Sequence, residues 1–341
     1  MLRFFARPLL LAALLAVATA SCVGIPPFRT CDAPSAASLA TLPAELSLAG
    51  LYRDPALRTV RDDALAYEPA FALWSDGADK KRWLLLPAGA RIDTSNMNDW
   101  SFPVGTKLFK EFSRNGVRLE TRLLVKRGTG ARDWASASYV WQADQSDARL
   151  APEGALDILG TQHDAPAAKK CGGCHAGRGS YVLGFSAVQL ANVDAAAPAS
   201  LSSIAAAGLL THPPSELHTL TLPPTERAAL GYMHANCGSC HNQQRPVQTG
   251  PRCYDPRREI DLWLPYTEDT QNDQAARAAI VATVVPDFVR PGEPEAGRLM
   301  RLVRRREGIL LHMPPLATER RDEQGEATLR AWIAALEHAH P

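Results

Sequence analysis

Between residues 117 and 125 the chain alternates. Val117, Leu119, Thr121, Leu123 and Val125 take one set of positions, and Arg118, Glu120, Arg122 and Leu124 the other. A period of two belongs to a strand with two unlike faces. Residues 82–86, 107–112 and 136–141 read as further short strands. Asp76-Gly77, Pro103-Val104-Gly105 and Asn115-Gly116 supply turn chemistry between them. Trp74, Trp83, Trp100, Trp134 and Trp141, five of the seven tryptophans, fall in this stretch. The pattern predicts a small antiparallel β domain over 46–158, folded as a sandwich. Its tryptophans are expected in the core before they are expected on a binding face.

Past residue 159 the period changes. Leu329, Trp332, Ile333 and Leu336 recur at helical spacing and predict a helix over 324–337. A second helix is expected from Pro224, with Glu226 in its first turn, to about residue 235. Proline-rich loops separate these segments.

The N-terminus has another character. Arg3 and Arg7 precede an uncharged run from Leu9 to Ala20, as in a secretory signal over 1–21. That run is shorter than the roughly 20 residues a membrane span needs. Ala18-Thr19-Ala20 fits an ordinary cleavage site, and Thr19-Ala20-Ser21-Cys22 resembles a lipoprotein signal. Residues 22–45, rich in Pro, Ala and Ser, read as a tether. The net charge of +1 gives no electrostatic footprint for nucleic acid.

Composition matters most through cysteine. Cys171-Gly-Gly-Cys174-His175 and Cys237-Gly-Ser-Cys240-His241 use four of seven cysteines. Cys-x-x-Cys-His is the attachment signature of c-type haem: two thiols for the vinyl groups and a histidine for the iron. A four-cysteine zinc site places its pairs roughly 15–20 residues apart, and these pairs begin at 171 and 237. Two covalently attached haem c groups are therefore expected, outside the cytoplasm. Cys22, Cys31 and Cys253 remain, an odd number. Lipidation of Cys22 would leave Cys31 and Cys253 to pair, and parity favours that arrangement.

Met313, in Leu311-His312-Met313-Pro314-Pro315, lies where small His/Met cytochromes carry their distal ligand. Its thioether would favour reduced iron, and His312 is the competitor. Gly231 is expected to face Trp332 where the helices cross, since glycine permits close approach. The first motif has no methionine between His175 and Met233. His212 is the leading candidate for its sixth ligand, ahead of His163, His218 and Met233, and an open position is the other alternative.

With Tyr67-Glu68-Pro69, Phe71-Ala72-Leu73-Trp74-Ser75-Asp76-Gly77-Ala78, Phe102-Pro103-Val104-Gly105-Thr106, Tyr139-Val140-Trp141, both haem motifs and Met313-Pro314-Pro315, the chain resembles a family of periplasmic dihaem c-type proteins. The resemblance implies a multidomain α+β fold, with an N-terminal antiparallel β domain followed by two small mainly α cytochrome c-like haem domains, at 159–222 and 223–341. It supplies no substrate and no role for the Trp-Ser-Asp-Gly string. Asp76 and Asp79 are expected as an Asp-Gly turn with a solvated second aspartate, Asp79, rather than a cation site. The functional expectation is a periplasmic electron relay between redox proteins. A dihaem peroxidase with an open site at the first haem is the alternative, and a partner-docking β domain is the third reading.

Overall fold

The protein is described by a computed structural model over residues 41–54, 56–57, 59–245, 260–306, 312–315 and 318–336. At its centre is one six-stranded antiparallel sheet in which each strand pairs with its sequence neighbours. The strands are β1 (Leu65–Ala66), β2 (Asp79–Leu85), β3 (Lys107–Arg114), β4 (Val117–Lys126), β5 (Trp134–Trp141) and β6 (Ala148–Ala151). Asn115 (φ 51°) and Gly116 (φ 78°) both take left-handed backbone in the two-residue turn from β3 to β4, the geometry that suits a tight hairpin.

A single sheet stands where a sandwich was expected, and what covers each face explains the difference. On one face Trp83, Leu85, Phe109, Leu123, Val125, Tyr139 and Trp141 pack against Leu46, Leu51 and Leu57 from the chain entering the sheet. On the other, Leu84, Leu108, Leu124 and Trp134 share one core with Phe185, Leu230, Ile260 and Leu329. No face is left for a second sheet. The fold is α+β, but sheet and helices are built on a common core. Four of the five tryptophans of this region are buried, namely Trp83, Trp100, Trp134 and Trp141.

The helices are α1 (Gly172–His175), α2 (Ala187–Ala191), α3 (Leu201–Ala206), α4 (Pro224–Met233), α5 (Thr270–Val284), α6 (Arg298–Arg304) and α7 (Glu323–Ala335). Pro224 opens α4 at a position where a missing N–H costs nothing. The helix continues into a π-helical turn over His234–Gly238, which includes the first cysteine of the second motif. Asp322 caps α7 by accepting from the Gly325 amide at 2.8 Å.

Helices α4 and α7 meet as expected, through a different glycine. A Cβ on Gly325 would lie 2.3 Å from Tyr232 Cε2, and one on Gly231 would lie 2.1 Å from Phe71 Cδ1. Gly325 makes the close approach to the Tyr232 ring, Gly231 makes room for the loop before β2, and Trp332 is buried in the common core. No helix among the described residues is long and apolar enough to cross a membrane. Cys22, Cys31 and Cys253 lie outside the described residues, as do the lipid anchor and the Cys31–Cys253 bridge expected from them.

Candidate functional site

Each motif forms a helical turn. His175 N–H donates to Cys171 O at 3.1 Å, and His241 N–H donates to Cys237 O at 2.8 Å. Spacings of three and four put both cysteines and the histidine on one side of the turn. The two turns abut. Asn242 Nδ2 donates to Gly177 O at 3.3 Å and Arg245 to Gly173 O at 3.3 Å. A Cβ on Gly177 would fall 1.6 Å from Ser239 O, so only glycine fits there. All four cysteines, His175 and His241 line one cavity with about 2260 Å3 of empty space, its open mouth included.

The donor set fits haem better than zinc. All four motif cysteines are free thiols. Cys174 and Cys240 share a hydrogen bond, which with Arg245 holds Cys240 down to about 6 against its burial. Burial and the neighbouring Cys240 push Cys237 up to about 12. The four sulfurs do not converge on a point, as tetrahedral zinc requires. Among the described residues, the only three groups whose ligand atoms lie within 4.8 Å of one another are Asp157, Asp164 and Glu319, none of which lines the cavity.

Two histidines in the cavity wall, half-buried His175 and buried His234, have opposite polarity. His175 Nδ1 lies 2.8 Å from the Tyr181 carbonyl oxygen. A carbonyl only accepts, so Nδ1 carries the proton and Nε2 keeps its lone pair, the form that binds a metal. His234 Nδ1 instead accepts from the Leu264 amide at 3.1 Å. Its Nε2 must then carry the proton, which makes it a hydrogen-bond donor. Burial pushes both rings down to about 3, aided by Lys110 and Arg122 at His175 and by Arg178 at His234. Both are neutral at any working pH. The sequence reading missed His234, although its place three residues before Cys237 put it on the same helical side.

The candidate sixth ligands separate clearly. Met313 lines the cavity and His312 does not. Among the candidates for the first motif, His212 is apart from the cavity, correcting its expected place. Its ring is 67% exposed and bonded to Thr211 Oγ1 at 2.9 Å. His218 bonds Asp273 at 2.9 Å, and Met233 is fully buried in the common core. His163 does line the cavity, but its Nε2 lies 3.0 Å from Glu120 Oε2.

The Trp-Ser-Asp-Gly string acquires a role. Asp76 is 2% exposed. Its carboxylate accepts from the Glu319 amide at 3.1 Å and the Arg320 amide at 2.9 Å. Trp74 Nε1 donates to Arg320 O at 3.1 Å. Thr318 Oγ1 donates to Pro314 O at 2.7 Å, and Met313 N–H to Leu302 O at 3.0 Å. The string thus clamps the chain just beyond Met313. Asp79, at the start of β2, is exposed.

The sheet forms one wall of the cavity. Arg82, Lys110 and Arg122 stand opposite one another on β2, β3 and β4, and Ser138 follows on β5. Lys80 lines the same wall, and Lys170 and Arg245 line it from the motif side. Among the described residues no aspartate or glutamate lines the cavity. Glu120 sits behind, bidentate to Arg122 at 2.8 and 2.9 Å. Burial raises the Glu120 carboxyl, but Arg122 and the bonds from His163 and Arg122 outweigh it and hold it down to about 2. Burial, with Arg82 and Arg122 beside it, pushes Lys110 down to about 7.

No family model, curated protein or solved structure matches the chain.

Proposed function

We propose that the chain is a periplasmic dihaem c-type cytochrome that relays electrons between redox proteins. One haem is held by Cys171 and Cys174 and the other by Cys237 and Cys240, with His175 and His241 toward the irons. The observation that carries the reading is His175: an intact Cys-x-x-Cys-His turn whose imidazole is fixed by a backbone carbonyl in the tautomer that leaves Nε2 for a metal, at the wall of a large cavity. Haem at each motif supplies reversible one-electron chemistry when bound.

The chain's own residues do the rest. Tyr181 O orients His175. Phe112, Leu124, Val182, Leu262 and Phe288 give the cavity an apolar lining, which excludes water and strengthens electrostatics inside it. Met313 offers a soft thioether that favours the reduced state of one site. The peroxidase alternative needs a distal group able to take a proton. His234 cannot do this through Nε2, because the Leu264 amide forces the proton onto that atom. Its polarity supports the relay reading.

Expression in a host that attaches c-type haem tests the proposal. We expect haem stain to stay with the denatured chain at two haems per chain, and each Cys-to-Ala pair to remove one. Met313→Ala should abolish the red charge-transfer band that a thioether sulfur gives ferric haem, and lower the potential of one haem only. A chain without covalent haem would overturn the reading. An unchanged Met313→Ala spectrum would remove Met313 from it.

A further inference from the structure

The cation row on the sheet does not follow from folding. Arg82 faces Lys110 and Lys110 faces Arg122 in register across three strands. Like charges directly opposite one another destabilise a sheet, and burying them adds a desolvation cost. One step along the same strands, Leu84, Leu108 and Leu124 occupy the equivalent row and are buried. The fold can therefore place apolar side chains on this face, and it places three cations instead.

The compensation within the protein is incomplete. Glu120 neutralises Arg122. Lys110 Nζ donates to Leu183 O at 2.8 Å and Lys80 Nζ to Leu73 O, both carbonyl dipoles rather than charges. Burial, with Arg82, Lys110 and Arg122 beside it, pushes Lys80 well down, and the charge of Asp322 at α7's cap offsets this only in part. Arg82 is 8% exposed, and its nearest acidic influence is Glu68, at the surface. The row lies beside the first motif: the fields of Lys110 and Arg122 act on His175, and Arg122's on Cys171 and Cys174.

We propose that Arg82 and Lys110, with Lys80, form an anion site for carboxylates at the first motif, and that its occupants are the propionates of the haem attached there. This rests on the haem reading. An apolar planar body with two carboxylates on one edge matches a cavity that is apolar over most of its lining, cationic on one wall and, among the described residues, free of acidic lining side chains. Charge-assisted hydrogen bonds from Arg and Lys are the strong way to hold such groups away from water. A small inorganic oxyanion shares this chemistry and is the other source.

The experiment compares the haem-loaded wild type with Arg82→Gln, Lys110→Met and the charge-keeping Arg82→Lys. Each is titrated redox-potentiometrically, and each is then titrated with nitrite and phosphate while the Soret band is followed. With propionates in the site, loss of one cation disfavours the reduced form of one haem about tenfold, a shift of about 59 mV for one electron. Arg82→Lys restores the potential, and neither anion moves the Soret band. With an oxyanion in the site, nitrite or phosphate gives a saturable Soret shift in the wild type that both charge-removing variants weaken at least tenfold, while the potentials stay put; the anion site then stands with the other occupant. Potentials and anion response both indifferent to the cations would overturn the site while leaving the relay reading intact. Absence of covalent haem from the wild type would overturn both.

Discussion

The two faces of the sheet are built from alternate residues of the same strands, and they differ in kind. One face is Trp83, Phe109, Leu123, Tyr139 and Trp141 under the Leu46–Leu57 segment, its polar groups satisfied locally, as by Trp141 Nε1 to Thr121 Oγ1 at 3.0 Å and Tyr139 OH to Pro43 O at 2.9 Å. The other carries Arg82, Lys110 and Arg122 toward the cavity, with Glu120 behind Arg122. One face stabilises the fold, and the other concentrates charge that the fold alone would reject. A strand with a period of two can serve both ends because neither set of side chains meets the other.

The comparison can be broken at several strengths. Phe109→Ala, on the apolar face, should lose about 3–5 kcal/mol of stability, read as a lower urea midpoint and, on the haem reading, with haem spectra unchanged in the folded fraction. Acid should act on the charged face next. Glu120 is held at about 2 against an ordinary value of 4.5. A depressed carboxyl contributes stability that is complete above the unfolded pKa and is lost as pH falls through the folded one. Urea midpoints should therefore stay level above about pH 5 and fall between about 4.5 and 2, and Glu120→Gln should flatten that fall. An equally steep fall in Glu120→Gln would move the cause elsewhere.

Thr121→Val should cost about 1–3 kcal/mol, because it leaves the buried Trp141 N–H without its acceptor; on the haem reading, near-infrared haem bands should not move. The smallest stability effect is expected from Arg82→Met. Removing one of three like charges in register offsets the lost contacts, and the urea midpoint should shift by less than about 1 kcal/mol. If Arg82→Met proved as damaging as Phe109→Ala, the division between the two faces would fail.

What was legible in the sequence was local. The motif turns, the 117–125 alternation and the α7 periodicity each lie within a few residues and appear as expected. The single sheet was not, because the Leu46–Leu57 cover and the common core are distant contacts that leave no mark on strand period. Spacing suggested His212, but its loop turns outward to Thr211 and Asp93. His234 was hidden because its proton is placed by an amide thirty residues on. The cation row becomes visible only once Arg82, Lys110 and Arg122 are put in register.

The clamp at Asp76 has a consequence for timing. It joins positions 243 and 244 residues apart along the chain. Contacts of that span form late, since the entropy of closing the intervening loop must be met first. Until Glu319 and Arg320 dock on Asp76, the segment carrying Met313 lacks this hold on the sheet side. On the haem reading, the thiol pairs meet haem before that segment is fixed. The order of assembly is set by where along the chain a buried carboxylate finds its amides.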